Sequence, residues 1–254
     1  MKIGLNALFL IPGEVGGSET YLRQTLRAAA AKFKEHEFIV FSNRENIRIL
    51  AMELRPFKNV SIVDMRLHAT SRIRRVMCEQ TALPRAVEAA SVDVLWNPSF
   101  SSPYRVKCPQ VTTVYDMQYV HFPEDFSPFE RFCIRFGTHS SLARATLILT
   151  ISEFSRREIA QHARVQFSKI RVTPLAADES FSKRLPGEFI AERIISLTRS
   201  ADPYILVVSN TYPHKNVEAS INAFGELAAS IPHKLVIVGK PRRGEPAVKN
   251  ALNS

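Results

Sequence analysis

Three of the chain's nine glycines, Gly13, Gly16 and Gly17, cluster between a first apolar run and a first helical pattern. At the carboxyl end of a strand in an open α/β sheet, such a turn lets backbone N–H groups and the positive helix end approach phosphate or sugar oxygens. The competing reading is a flexible loop with no ligand. Lys215 holds a comparable place later in the chain, between an apolar run and a helical stretch. A cation there can neutralise a diphosphate, and a solvated surface lysine is the alternative. Asn210 and His214 are its polar neighbours. Ser152 and Glu153 follow another apolar run at a helix start, where capping and substrate contact are compatible roles. Tyr115 offers a phenol that can donate a hydrogen bond. His121 either reaches a ligand or lies on a solvated loop.

Some chemistries are disfavoured by what is missing. No G-x-G-x-x-G turn and no P-loop lysine occur, which argues against dinucleotide-dependent hydride transfer and P-loop nucleotide hydrolysis. No Asp-x-Asp pair occurs either, so there is no obvious carboxylate site for a divalent metal holding a nucleotide diphosphate.

The elements that must position these residues alternate along most of the chain. Ile3–Ile11 reads as a buried strand stopping at Pro12-Gly13, and Ser18–Phe33 as a helix with Leu22, Leu26, Ala29, Ala30 and Phe33 on one face. Phe38–Phe41, Val60–Val63, Val92–Trp96, Val111–Tyr115, Leu147–Ile151 and Ile170–Thr173 read as further strands. Helical patterns cover about Arg72–Ala90, Phe129–Ala145 and Ser152–Ala163, with Ser155 and Glu158 fitting a capping box and Asp116–Ser127 reading as a loop. This rhythm predicts an α/β fold with a doubly wound, mostly parallel, Rossmann-like sheet. After Pro174 the texture changes, with loop chemistry at Pro186-Gly187 and one helical piece around Phe189–Leu197. A second α/β series begins with Tyr204–Ser209, Asn216–Ala229 and Lys234–Gly239. The predicted division is a domain over 1–180, a linker over 181–203 and the start of a second domain over 204–254. A single strand–helix–strand unit cannot enclose a core by itself.

The 254 residues carry a formal net charge of +10 spread along the chain, with 45% hydrophobic and 23% charged residues. That composition suits a globular protein with anionic partners. Dispersed charge without a recognition motif disfavours a nucleic-acid-binding domain. Cys78, Cys108 and Cys133 have no paired spacing, so neither a disulfide framework nor a zinc ligand set is suggested, and a cytoplasmic location is the simplest expectation. The apolar start is too short to span a bilayer and lacks a signal-like cleavage site. Arg72-Ile73-Arg74-Arg75-Val76 places three cations among apolar residues. It reads either as a solvated helix face or as a peripheral contact with an anionic membrane surface.

Several stretches occur in the order found in one enzyme family. Gly16-Gly17-Ser18-Glu19-Thr20-Tyr21-Leu22 resembles the opening loop and helix of glycosyltransferase family 4, in the GT-B fold. Thr113–Met117, Phe122–Phe126, Ser152–Arg157 and Lys169–Pro174 follow in the family's order. Tyr204–Ser209, then Pro213-His214-Lys215-Asn216, and Lys234–Gly239 resemble the start of its donor-binding domain. The resemblance implies that residues 1–180 form the acceptor-binding domain. It places Gly16 and Gly17 at an interdomain cleft near donor phosphate and acceptor, and Tyr115 and Asp116 at a strand end facing the reacting sugar. Many relatives carry histidine where this chain has Tyr115, so no imidazole contact is expected there. Ser152, Glu153 and His121 are the remaining substrate-side candidates, and Asn210, His214 and Lys215 the donor-phosphate candidates.

The family implies transfer with retention from a nucleoside-diphosphate sugar to a saccharide or lipid-linked acceptor, leaning towards mannose and polysaccharide assembly. Neither a cofactor nor a metal is expected. The family's donor domain normally carries a glutamate pair, for which Glu245 alone is no substitute. This predicts an incomplete donor site and an inactive isolated chain. The alternatives are a non-catalytic α/β binding module and a half that works with a partner chain.

Overall fold

The computed structural model describes residues 1–182 and 186–253. The chain divides into two compact units, one formed by Met1–His121 with Pro128–Leu175, the other by Phe122–Ser127 with Ala176–Ser254. Within the predicted linker, 181–203, the helical piece read around Phe189–Leu197 is the helix Gly187–Thr198. The predicted loop 116–127 contributes to both units.

The first unit is built on seven parallel strands. They are β1 (Lys2–Asn6), β2 (Glu37–Ser42), β3 (Val60–Asp64), β4 (Val94–Asn97), β5 (Gln110–Thr113), β6 (Leu147–Thr150) and β7 (Ile170–Val172). Their order is β3-β2-β1-β4-β5-β6-β7. The winding direction reverses between β1 and β4, which makes that crevice the topological switch point of a doubly wound sheet. The helices are α1 (Gly17–Lys32), α2 (Ile47–Leu54), α3 (Arg72–Ala89), the short α4 (Gln118–His121), α5 (Pro128–Arg144) and α6 (Glu153–Ala163).

Both sheet faces are buried, and the period-two alternation of β2 shows how. Phe38 and Val40 pack with Leu5, Leu22, Leu26, Leu50 and Leu54 beneath α1 and α2. Ile39 and Phe41 face the opposite way, against Leu83, Val87, Val92 and Leu95. Gly4 lies on that second face, where a Cβ would come within 3.0 Å of Val92, 3.1 Å of Phe41 and 3.2 Å of Leu95.

The first strand is shorter than its apolar run. It ends at Asn6, although Ala7, Leu8 and Leu10 are fully or almost fully buried. Leu10 N–H turns back to the Ala7 carbonyl, and buried asparagine side chains supply the hydrogen bonds a ladder would otherwise provide. Burial without a neighbouring strand explains why an apolar run alone overextended the prediction.

The second unit contains α7 (Gly187–Thr198), the parallel pair β8 (Tyr204–Val208) and β9 (Lys234–Val238), α8 (Val217–Leu227) and α9 (Glu245–Asn253). Its apolar cluster is small: Val217, Ile221 and Val248, with Leu235, Ile237 and Ala251 against them. Leu206 and Val208 remain 51% and 73% exposed, as expected of a strand pair with little to pack on.

Candidate functional site

In the first unit, candidate residues collect at the carboxyl edge of the sheet. Gly16 caps α1 with φ 61° and ψ −133°, and Gly13 has φ 76°. A side chain would be strained at either position. At Gly16 and Gly17 a Cβ would meet nothing within 4 Å. The helix end is therefore sterically open.

Glu19 fixes the loop from within α1. One of its oxygens accepts the Gly13 N–H at 2.7 Å, and the other accepts Arg23 Nη1 at 2.6 Å. Arg23 also donates Nε–H to Glu53 at 2.9 Å. Glu19 thus returns to the preceding loop much as a capping-box glutamate does, and places a carboxylate at the positive helix end. Two fully buried asparagines hold the other side. Asn43 donates to the carbonyls of Leu8 (3.0 Å) and Leu10 (2.9 Å), and Asn46 to those of Ala7 (2.8 Å) and Leu10 (3.0 Å).

Tyr115 and the glycine loop meet through one apolar cluster, to which Val15, Tyr115 and Ile151 all contribute. Tyr21 of α1 stands edge-on to Tyr115, with ring centroids 5.4 Å apart, and its hydroxyl pairs with that of Thr173 at 3.0 Å. Tyr115 donates its own hydroxyl to the Pro98 carbonyl at 3.0 Å. Burial, and then the nearby Tyr21, push its ionisation well above the ordinary range. Its phenol is therefore a neutral donor already engaged with backbone. Asp116 is exposed and accepts the Gln118 N–H at 3.0 Å, starting α4.

Ser152, not Ser155, caps α6: its hydroxyl accepts the Ser155 N–H at 3.0 Å. Glu158, the expected capping-box partner, lies too far along the helix for that task and contacts His121 and His162 instead. Glu153 opens α6 on the surface and pairs with Arg156 at 3.4 Å. His121 ends α4 and contacts Glu158 of α6.

A buried polar network at the switch point was not among the sequence candidates. Asn6, at the end of β1, donates to Glu79 at 2.7 Å and to Asn97, at the end of β4, at 3.1 Å. Asn97 donates in turn to Gln110 at 3.0 Å, and Ser101 to Glu79 at 3.1 Å. Burial pushes the Glu79 carboxyl up, against the hydrogen bonds from Asn6 and Ser101 and the attraction of Arg75. The visible signal was an asparagine closing each of the two strands that flank the switch point.

In the second unit, the stretch after β8 carries the donor-side candidates. Asn210 accepts the Lys240 N–H at 2.9 Å, joining the loops after β8 and β9. Thr211 reinforces that joint by accepting the Arg242 N–H at 2.6 Å and donating to Glu245 at 3.0 Å. His214 Nδ1 meets the buried carboxylate of Asp125 at 2.5 Å, and its ring stacks on Tyr212. Arg243 donates to the Asp125 carbonyl at 2.7 Å. Lys215 is exposed beside this assembly, at the end of a 3-10 turn. Asp125 lies in the family-like stretch Phe122–Phe126 but was not among the sequence candidates, and Thr211 lies in none of the family-like stretches.

A family model described as Glycosyltransferase Family 4 matches residues 15–181. Over 131 residues the chain is 31% identical to the O-antigen chain mannosyltransferase B of Escherichia coli, covering 50% of this chain and 33% of that protein. Its fold is similar to that of Anabaena HepE, solved in complex with UDP and glucose: TM-score 0.66, 17% identity, 100% of this chain and 65% of the other. It is also similar to WaaG, a glycosyltransferase involved in lipopolysaccharide biosynthesis, with TM-score 0.64 and 14% identity over 98% of this chain and 67% of that one. The chain thus spans a third of the curated relative's length and about two thirds of these solved chains.

Proposed function

Because the chain belongs to Glycosyltransferase Family 4, we propose that it forms the acceptor-side portion of an enzyme that transfers a sugar, mannose by preference, from a nucleoside-diphosphate donor to a saccharide or lipid-linked acceptor in polysaccharide assembly. The observation that carries this reading is the glycine turn at the start of α1, where Gly16 and Gly17 leave open space beside a helix end whose loop Glu19 holds from within. Such an end favours anionic oxygens through its N–H groups and its partial positive charge. The named relatives support the choice of chemistry: one is a mannosyltransferase, one a lipopolysaccharide glycosyltransferase and one was solved with UDP and glucose.

In this reading Lys215 meets the donor diphosphate, and His214, oriented by Asp125, flanks it. Transfer proceeds with retention and without a protein nucleophile, the departing phosphate helping to activate the acceptor hydroxyl on the same sugar face. The protein's share of the work is positioning and electrostatic stabilisation of the leaving group. Tyr115, whose hydroxyl is bonded to Pro98, shapes the reacting pocket, and Asp116, Ser152 and Glu153 line it. No metal is assigned a part in the transfer.

The acceptor side extends to a membrane contact, at the inner face in a cytoplasmic setting. Ile73 and Met77 on α3 are 76% and 61% exposed, and Phe129 and Phe132 on α5 are 76% and 65% exposed. Arg72 bridges the two helices by donating to Glu130 at 3.0 Å. No helix among the described residues is long and apolar enough to cross a membrane.

The test is calorimetry and transfer assay of the 254-residue chain with a panel of UDP- and GDP-linked sugars and saccharide acceptors. Binding of one donor, weakened about tenfold in Lys215→Ala as loss of a charge-assisted contact predicts, supports the reading. Donor binding that ignores Lys215 would remove it from the site, sugar transfer by this chain alone would overturn its expected inactivity, and affinity for neither donors nor saccharide acceptors would sink the proposal.

A further inference from the structure

Two helices of the first unit bring three metal-competent side chains together. Glu158 and His162 lie one turn apart on α6, and His121 ends α4. One ligand atom from each, the two imidazole nitrogens and a carboxylate oxygen, fall within 4.8 Å of one another. The Glu158 oxygen touches His121 Nε2 directly, a contact that must open to admit an ion, and lies 3.5 Å from His162 Nε2. The latter separation is close to the ligand–ligand separation of about 3.3–3.5 Å implied by tetrahedral zinc with bonds of about 2.0–2.1 Å. The imidazole rings of His121 and His162 stand edge-to-face, 5.5 Å apart at 86°, so they approach the carboxylate from different directions.

The charge balance of this cluster asks for a cation. The Glu158 side chain is only 15% exposed. Among the described residues its charge partners are these two histidines. A divalent ion bound by all three would satisfy this mostly buried carboxylate.

We propose that His121, Glu158 and His162 form a zinc-class metal site. Two nitrogens and one carboxylate suit zinc rather than magnesium or calcium, which take oxygen ligands. The 42% exposure of the His121 side chain leaves solvent to complete the coordination. Bound there, the ion ties the end of α4 to α6. The first of these follows the Tyr115-Asp116 turn and the second begins at Ser152-Glu153, so the ion acts as a clip on the strand ends that carry candidate residues. It is separate from the transfer chemistry, and the inference does not depend on the donor or the acceptor.

The experiment is a titration of the metal-free 254-residue chain with Zn2+ against a chromophoric chelator, repeated with Co2+ to read its visible absorption. The expected result is one saturable equivalent, a Co2+ spectrum of low coordination number and a rise in Tm with zinc. Glu158→Gln and His162→Gln should each weaken binding at least tenfold, while His233→Gln in the second unit should leave it unchanged. Wild-type protein with no saturable equivalent would overturn the proposal whatever the variants do. An equivalent that survives Glu158→Gln, His162→Gln and His121→Gln would overturn it too.

Discussion

A methyl group added at Gly16 or Gly17 would find open space, yet the two positions differ. The Gly16 backbone, at φ 61° and ψ −133°, lies in a region that side chains rarely enter, so Gly16→Ala should cost about 1–3 kcal/mol. Gly17 has helical backbone, so Gly17→Ala should leave stability within about 1 kcal/mol of wild type or raise it. Its methyl would stand where a ligand oxygen approaches. Donor or acceptor affinity should then fall at least tenfold in Gly17→Ala with Tm unchanged, read by calorimetry and thermal unfolding. Unchanged affinity in that variant would mean the turn is open without being used. The glycine cluster itself was legible in the sequence because positive φ and bare backbone both demand glycine. Its supports were not legible. Asn43 and Asn46 act on carbonyls more than thirty residues away, and no local pattern announces such a bond.

Among the elements, β8 and β9 give the sharpest contrast. A Cβ on Gly239 would lie 1.9 Å from the Ser209 carbonyl oxygen and 2.5 Å from its carbon, both backbone atoms with little freedom to move. Gly225, exposed on α8, has nothing within 4 Å. Gly239→Ala should therefore destabilise the second unit by about 3 kcal/mol, the upper end for overpacking. Gly225→Ala should stabilise it by up to about 1 kcal/mol through helix propensity. Denaturant unfolding followed by circular dichroism separates these outcomes, and equal effects would show that the close approach of the two strands is not maintained in solution.

Strand positions in the sheet were legible because a parallel sheet buried on both faces writes them as short apolar runs. The exceptions have physical causes. The run at Ile3–Ile11 contains a buried turn as well as β1. The helix α2 buries only Leu50 and Leu54, too few positions to stand out as a period. Ser152 and Ser155 both precede suitable residues, and the end of β6 at Thr150 decides between them. The pairing of Asp125 with His214 joins residues 89 apart, and nothing local encodes it.

For the whole molecule, the net charge of +10 is distributed, but the exposed apolar residues are not. Ile73, Val76 and Met77 on α3 and Phe129, Phe132 and Phe136 on α5 accompany Arg72, Arg74 and Arg131. A surface of this kind should bind anionic vesicles at low salt and release them as salt rises, with each arginine worth about 1 kcal/mol near the bilayer. Arg74→Glu should shift the vesicle partition more than fivefold, and Phe132→Ser should weaken it without changing the salt dependence. Failure to sediment with anionic lipid at low salt would remove the membrane from the proposal.

The sheet order also governs how the chain is made. One edge of β1 is served by β2, about thirty-five residues later, while the other waits for β4, with Ile3 pairing Val94. During synthesis β1, an interior strand of the finished sheet, spends the interval as an edge, with unpaired backbone on one side. Such edges recruit foreign strands, and pairings this distant in sequence close slowly. The open edge therefore moves outward as the chain emerges, from β1 to β4 when residues 94–97 dock, and on through β5 and β6 until β7 completes the sheet.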